Sequence, residues 1–140
     1  MVSLTYLLDT NVMAEPLRPQ PDAGVLAGLQ SHAHEICTVS VVWHEMWYGC
    51  RRLPQSARRR AIEDFLLQVV AVSIPILPYD HRAADWHAAQ RARLVAGGRT
   101  PPFADGMIAA VAYVNDLTLV TRNVRDFQFF EGVRLETWFS

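Results

Sequence analysis

The chain has 140 residues, 51% of them hydrophobic, and a net charge of −1. This is the length of one ordinary domain, with enough apolar residues for a core that needs no disulfide or structural metal; it lacks the global basic field that marks many nucleic-acid binders. All 13 basic residues are arginine. Without lysine, a P-loop, Schiff-base chemistry and the lysine-assisted phosphotransfer of receiver domains and aspartyl phosphatases are excluded.

Strand and helix patterns alternate along the chain. Leu4 to Leu8 reads as a short buried strand ending at Asp9. Pro16 to Pro21 is a loop, because its prolines stop any helix. Asp22 to Gln30 carries Val25, Leu26 and Leu29 at helical spacing, and Ile36 to Val39 is a second strand. Ser40 is placed to cap a helix through Tyr48 that Gly49 closes. Gln55 to Val70 is an amphipathic helix with a stripe of Ile62, Phe65, Leu66, Val69 and Val70. Ser73 to Leu77 is a strand, and Asp80 caps a long helix to about Ala96 that Gly97 and Gly98 end. After a loop, Asp105 opens a helix through Val114; Leu117 to Thr121 and Val133 to Glu136 are the last strands.

This alternation predicts an α/β fold, one domain over residues 1–140, with a parallel sheet flanked by helices on both faces. The opening MVSLTYLLDTNV has no basic start and soon reaches an acid, unlike a signal peptide, and the apolar runs are too short to cross a membrane. Cys37 and Cys50 fit neither a disulfide framework nor a zinc site, so they read as reduced, buried thiols of a cytoplasmic protein. The histidines offer no zinc spacing either: His32 and His34 sit in a loop, and His81 and His87 lie too far apart on one helix.

In an open parallel sheet, functional residues gather beyond the carboxyl ends of the strands. Asp9 follows the first strand, Glu45 lies in the helix after the second, Asp105 starts the helix leading into the fourth, and Asp126 follows that strand. Each also has a plainer reading. Asp9 suits a turn or N-cap, Asp105 an N-cap, Asp126 a turn, and Glu45 a salt bridge to Arg51 or Arg52. Glu45 nevertheless sits on an almost wholly apolar helix, where a carboxylate is costly unless paired or metal-bound.

Taken together, LLDTNV, S-V-V-x-x-E-x-x-x-G from Ser40, A-D-G-x-I-A-A-x-A from Ala104 and T-R-N-x-x-D-F from Thr121 resemble the PIN domain, in particular the VapC toxins of bacterial toxin–antitoxin pairs. The stretch from Leu7 to Pro21 is most similar to the FitB-type branch. The resemblance implies a PIN-like fold, endoribonuclease activity with Mg²⁺ or Mn²⁺, a homodimer, and a small VapB-like or FitA-like antitoxin that builds a higher assembly and brings it to operator DNA. It places the family's acidic quartet on Asp9, Glu45, Asp105 and Asp126. Where the family often has Asn before the third acid this chain has Ala104, so a supporting amide is missing there.

Four clustered carboxylates repel one another, and a divalent cation relieves the repulsion; Mg²⁺ favours such hard oxygen donors and keeps waters. Asp9, Asp105 and Asp126 are the expected metal ligands, with Glu45 holding a second ion or orienting water, and Thr10, Asn11 and Asn123 in supporting or substrate-contacting roles. Arg51, Arg52 and Arg58 to Arg60 are candidates for gripping RNA phosphates, or a solvated helix face. Trp43, Trp47 and the helix Gln55 to Val70 are expected to offer a groove to an antitoxin helix, one of whose arginines would reach the acids. A competing function is a catalytically weak partner of a DNA-binding antitoxin, acting mainly on transcription.

Overall fold

The computed structural model describes residues 3–140, so Met1 and Val2 of the opening segment lie outside the described residues. Five short strands form one parallel sheet: β1 (Tyr6–Leu8), β2 (Ile36–Val39), β3 (Ile76–Leu77), β4 (Thr118–Val120) and β5 (Arg134–Glu136), in the order β3-β2-β1-β4-β5. All four residues of β2 are buried, so both faces of the sheet centre are covered by helices, as a parallel sheet requires. Leu7, Leu8, Val39, Leu119 and Val120 from the strands meet Val42, Leu66, Val70, Ile108 and Val111 from the helices in the core.

Strand order positions the site. The chain builds outward from β1 through β2 to β3, then crosses back to place β4 on the other side of β1. The order therefore reverses between β1 and β4, and a crevice opens beyond their carboxyl ends. Leu8 pairs with Val120, so Asp9 and Thr121 leave the sheet side by side.

The helices are α1 (Thr10–Met13), α2 (Ala23–Ser31), α3 (Ser40–Arg51), α4 (Ala57–Phe65), α5 (Ala71–Ser73), α6 (His81–Ala96), α7 (Phe103–Val114) and α8 (Val124–Phe127). Several boundaries correct the sequence reading. Ser40 is the first residue of α3 and makes no capping bond; Val39 precedes it, and Gly49 lies inside the helix, which runs to Arg51. The expected loop at Pro16 opens with a 3-10 turn over Glu15–Leu17, where proline's preset φ is favourable.

The amphipathic helix starts after Ser56, whose hydroxyl accepts the Arg59 amide at 3.2 Å, and not at Gln55. It then widens into a π turn over Leu66–Val70 and continues to Ser73, which shortens the third strand to Ile76–Leu77. One extra residue per turn rotates the stripe. Leu66 and Val70 stay in the core, while Val69 turns outward at 44% exposure beside Leu67 and Val72. Phe103, not Asp105, opens α7, after Pro102. Among the described residues no helix is long and apolar enough to cross a membrane.

Helices α6 and α7 meet at Gly106 and His87. The His87 ring is buried, its Nδ1 bonded to the Tyr79 hydroxyl at 2.8 Å, and a Cβ on Gly106 would run into it. Glycine here lets the first turn of α7, which carries Asp105, approach α6. We expect Gly106→Ala to destabilise the chain by roughly 1–2 kcal/mol in urea denaturation, because the clash outweighs alanine's helix preference of about 1 kcal/mol. An unchanged or higher midpoint would mean that the ring yields freely.

Candidate active site

Asp9 is buried, with 7% of its surface exposed, and it caps α1 from the end of β1. Its Oδ1 accepts the Thr10 amide at 2.8 Å. Its Oδ2 accepts the Thr121 hydroxyl at 2.8 Å and the Asn11 side-chain amide at 3.4 Å. Burial nevertheless raises its pKa; these donors pull it back, and Asp126 pushes it up again.

Glu45 projects from α3, and its Oε1 accepts the Thr10 hydroxyl at 3.2 Å. Burial raises its pKa first, Thr10 lowers it, Asp9 raises it and His44 lowers it. The alternative of a salt bridge is not realised. Arg51 lies over Trp47 at 4.4 Å and Arg52 over Tyr48 at 5.4 Å.

Asp105 sits in the first turn of α7 and takes no hydrogen bond from any described residue. Its pKa is pushed up to about 6, first by burial and then by the charges of Asp9, Asp126 and Glu45. Asp126, on α8, is exposed. The fold thus gathers the four acids into one electrostatic neighbourhood. Among the described residues no group of three or more His, Cys, Asp or Glu side chains forms a site that could hold a metal ion. Mg²⁺ does not need three, because it is commonly held by one or two carboxylates with waters completing its shell.

Of the supporting residues, Thr10 joins Asp9 to Glu45. Asn11 spans Asp9 and the backbone amide of Arg122, which its Oδ1 accepts at 3.0 Å. Asn123 donates its backbone amide to Thr121 Oγ1 at 3.1 Å. Thr121 is the residue that the sequence reading passed over. It is fully buried, and its hydroxyl donates to Asp9. The signal was a hydroxyl at the end of an apolar strand.

Three hollows border the acids. One of about 340 Å³ holds Thr10, Glu45, Arg18, Arg52 and Arg58. One of about 270 Å³ holds Asp105, Asp126 and Arg99. One of about 470 Å³ holds Glu45, His44, Phe103 and Met107. Arg59 is committed elsewhere, to Glu63 at 2.9 Å. Trp43 and Trp47 are half-buried, pack against the core and meet edge-on at 5.8 Å. Two of the histidines have structural partners: His32 pairs with Glu35 at 3.0 Å, and His87 with Tyr79. Both cysteines are free and buried, and burial pushes the Cys37 thiol up to about 12.

The family model of the PIN domain matches residues 6–130. The chain belongs to the PIN domain family. Toxin FitB of Neisseria gonorrhoeae is 36% identical over 124 residues, covering 86% of this chain and 89% of its own. The tRNA(fMet)-specific endonuclease VapC of Shigella flexneri is 33% identical over 136 residues, covering 96% and 98%. A solved structure of FitAB bound to an IR36 DNA fragment superposes with a TM-score of 0.87 at 31% identity, covering 95% of this chain and 94% of that one.

Two outcomes follow for this PIN domain. Replacing Thr121 by Val removes a donor from a buried carboxylate. We expect a loss of about 1–3 kcal/mol at neutral pH by denaturant titration, with a smaller loss in acid, where Asp9 is protonated. Asp105 holds its proton to about pH 6 when folded, against an ordinary 3.8. The folded state is therefore favoured in acid, and that advantage is lost as pH rises from the ordinary value through about 6. In EDTA, Asp105→Asn should match wild type near pH 4 and melt higher near pH 7. Equal melting at both would remove the repulsion.

Proposed function

We propose that this chain is a metal-dependent endoribonuclease, the toxin of a toxin–antitoxin pair, cutting RNA phosphodiesters at Asp9, Glu45, Asp105 and Asp126. The observation that carries the reading is the gathering of these four acids at the point where strand order reverses, where Asp105 takes no donor among the described residues. The FitB and VapC likenesses, over most of each chain, support the nuclease and toxin assignments.

The donor set fits Mg²⁺, with Mn²⁺ able to substitute: hard carboxylate oxygens in an open crevice. Asp9, Asp105 and Asp126 would hold it. When bound, such a cation supplies charge neutralisation and Lewis acidity at the phosphate. The chain's own groups do the rest. Thr10, Asn11 and Thr121 hold the Asp9 carboxylate in one orientation. The Thr10 bond falls on Glu45 Oε1, so Oε2 would be free to orient an attacking water or accept its proton.

The likeness to FitAB on DNA supports a VapB-like or FitA-like antitoxin that would bring this chain, as a homodimer, to operator DNA. The outward Leu67, Val69 and Val72 offer apolar surface to such a partner's helix. The same likeness favours a second reading, a catalytically weak partner in transcriptional control. One experiment separates them. Purified chain should cut single-stranded RNA with Mg²⁺ or Mn²⁺ and stop with EDTA, and Asp9→Asn and Asp105→Asn should each lose at least roughly a hundredfold in kcat/KM while staying folded. Cleavage undiminished by EDTA would sink the metal mechanism. No cleavage, with operator binding alongside the antitoxin intact, would favour the second reading.

A further inference from the structure

The acids stand between two hollows that carry arginines, three in one and one in the other. On the Glu45 side, Arg18, Arg52 and Arg58 line the 340 Å³ hollow, whose only acidic lining residue is Glu45. On the other side, Arg99 and Thr100 line the 270 Å³ hollow together with Asp105 and Asp126, so one guanidinium faces the two acids there. In a chain of net charge −1, three of 13 arginines meet in one depression next to a carboxylate.

These guanidinium groups are available. Arg58 is exposed and makes no ion pair, hydrogen bond or ring contact with any described residue. Arg52 rests on the exposed Tyr48 ring, which leaves its donors outward. Arg18 reaches Glu15 only at 3.7 Å. Arg99 is stacked 3.4 Å over Phe129, which orients the guanidinium plane without using its hydrogens. By contrast Arg59, nearby in sequence, is spent on Glu63 and the Leu53 carbonyl.

Resting on the ribonuclease reading, we propose that these hollows are phosphate subsites on the two sides of the scissile bond: Arg18, Arg52 and Arg58 hold one flanking phosphate of a single-stranded RNA, and Arg99 holds the other. The arrangement answers an electrostatic problem. A polyanion is repelled by four acids, and a fixed positive group on each side offsets that repulsion while leaving the centre acidic enough for a cation. Guanidinium suits the task because it pairs with phosphate oxygens bidentately and never loses its charge. Thr10, which lines the first hollow and bonds Glu45, makes that subsite continuous with the acids.

The test uses Arg52→Ala/Arg58→Ala and Arg99→Ala in the full chain. Binding of a fluorescent single-stranded RNA is followed by anisotropy in EDTA, and cleavage is followed with Mg²⁺. Each phosphate no longer neutralised should lower the slope of log affinity against log salt by about 0.7, so about 0.7 for the double variant and about 0.7 for Arg99→Ala. KM should rise at least tenfold for the double variant with kcat within about twofold, and melting should be unchanged because these side chains are exposed. If wild type cleaves RNA and the variants keep its KM and salt slope, the subsites are wrong and the nuclease reading stands. If the variants cleave normally but escape inhibition by a co-expressed antitoxin, the hollows serve a protein and the proposal falls. If wild type neither binds nor cuts RNA, both readings fall. Arginine-dependent binding without cleavage upholds the subsites and overturns the enzyme.

Discussion

The hydrogen bond from Thr121 to Asp9 ties together the two strands on which the site depends. A carboxylate this deeply buried is costly unless its oxygens find donors. Here the donors come from three places: the first turn of α1, the Asn11 amide, and the far side of the chain at the end of β4. Parallel pairing of Leu8 with Val120 brings the last of these into reach. The same pairing sets the crevice, the approach of α8 with Asp126, and the direction from which α7 presents Asp105.

Around that anchored group the remaining acids are poorly satisfied, and the contrast is informative. Asp9 has several donors, Glu45 has one, and Asp105 has none among the described residues. A fold selected only for stability would replace Asp105 with an apolar residue or give it a partner. Its retention beside three like charges concentrates unfavourable electrostatics at one point, the pattern expected of a functional centre. The close approach allowed by Gly106 against His87 keeps that point in place.

Much of this was legible from residue order. Ile36 to Val39 reads as a strand because Ile36, Thr38 and Val39 are β-branched, and Asp80 as a cap because a long periodic helix follows it. The four acids were found from their place after strands and from family resemblance, and the fold brings them into one neighbourhood. What escaped depended on geometry that no local pattern encodes. The π turn at Leu66 rotates Val69 outward although its spacing reads as core. Thr121 gains its role only from pairing with a strand more than a hundred residues earlier. The five-arginine cluster looked uniform, yet neighbours on α4 commit Arg59 and leave Arg58 open.

The pairing of β1 with β4 also has a consequence in time. Asp9 is made more than a hundred residues before Thr121 and Asp126. The contacts that complete the crevice join segments far apart in the chain, so they close late in folding. A chain cut short before β4 carries Asp9 and Glu45 but cannot assemble the centre, so any chemistry done there waits for the later half of the chain.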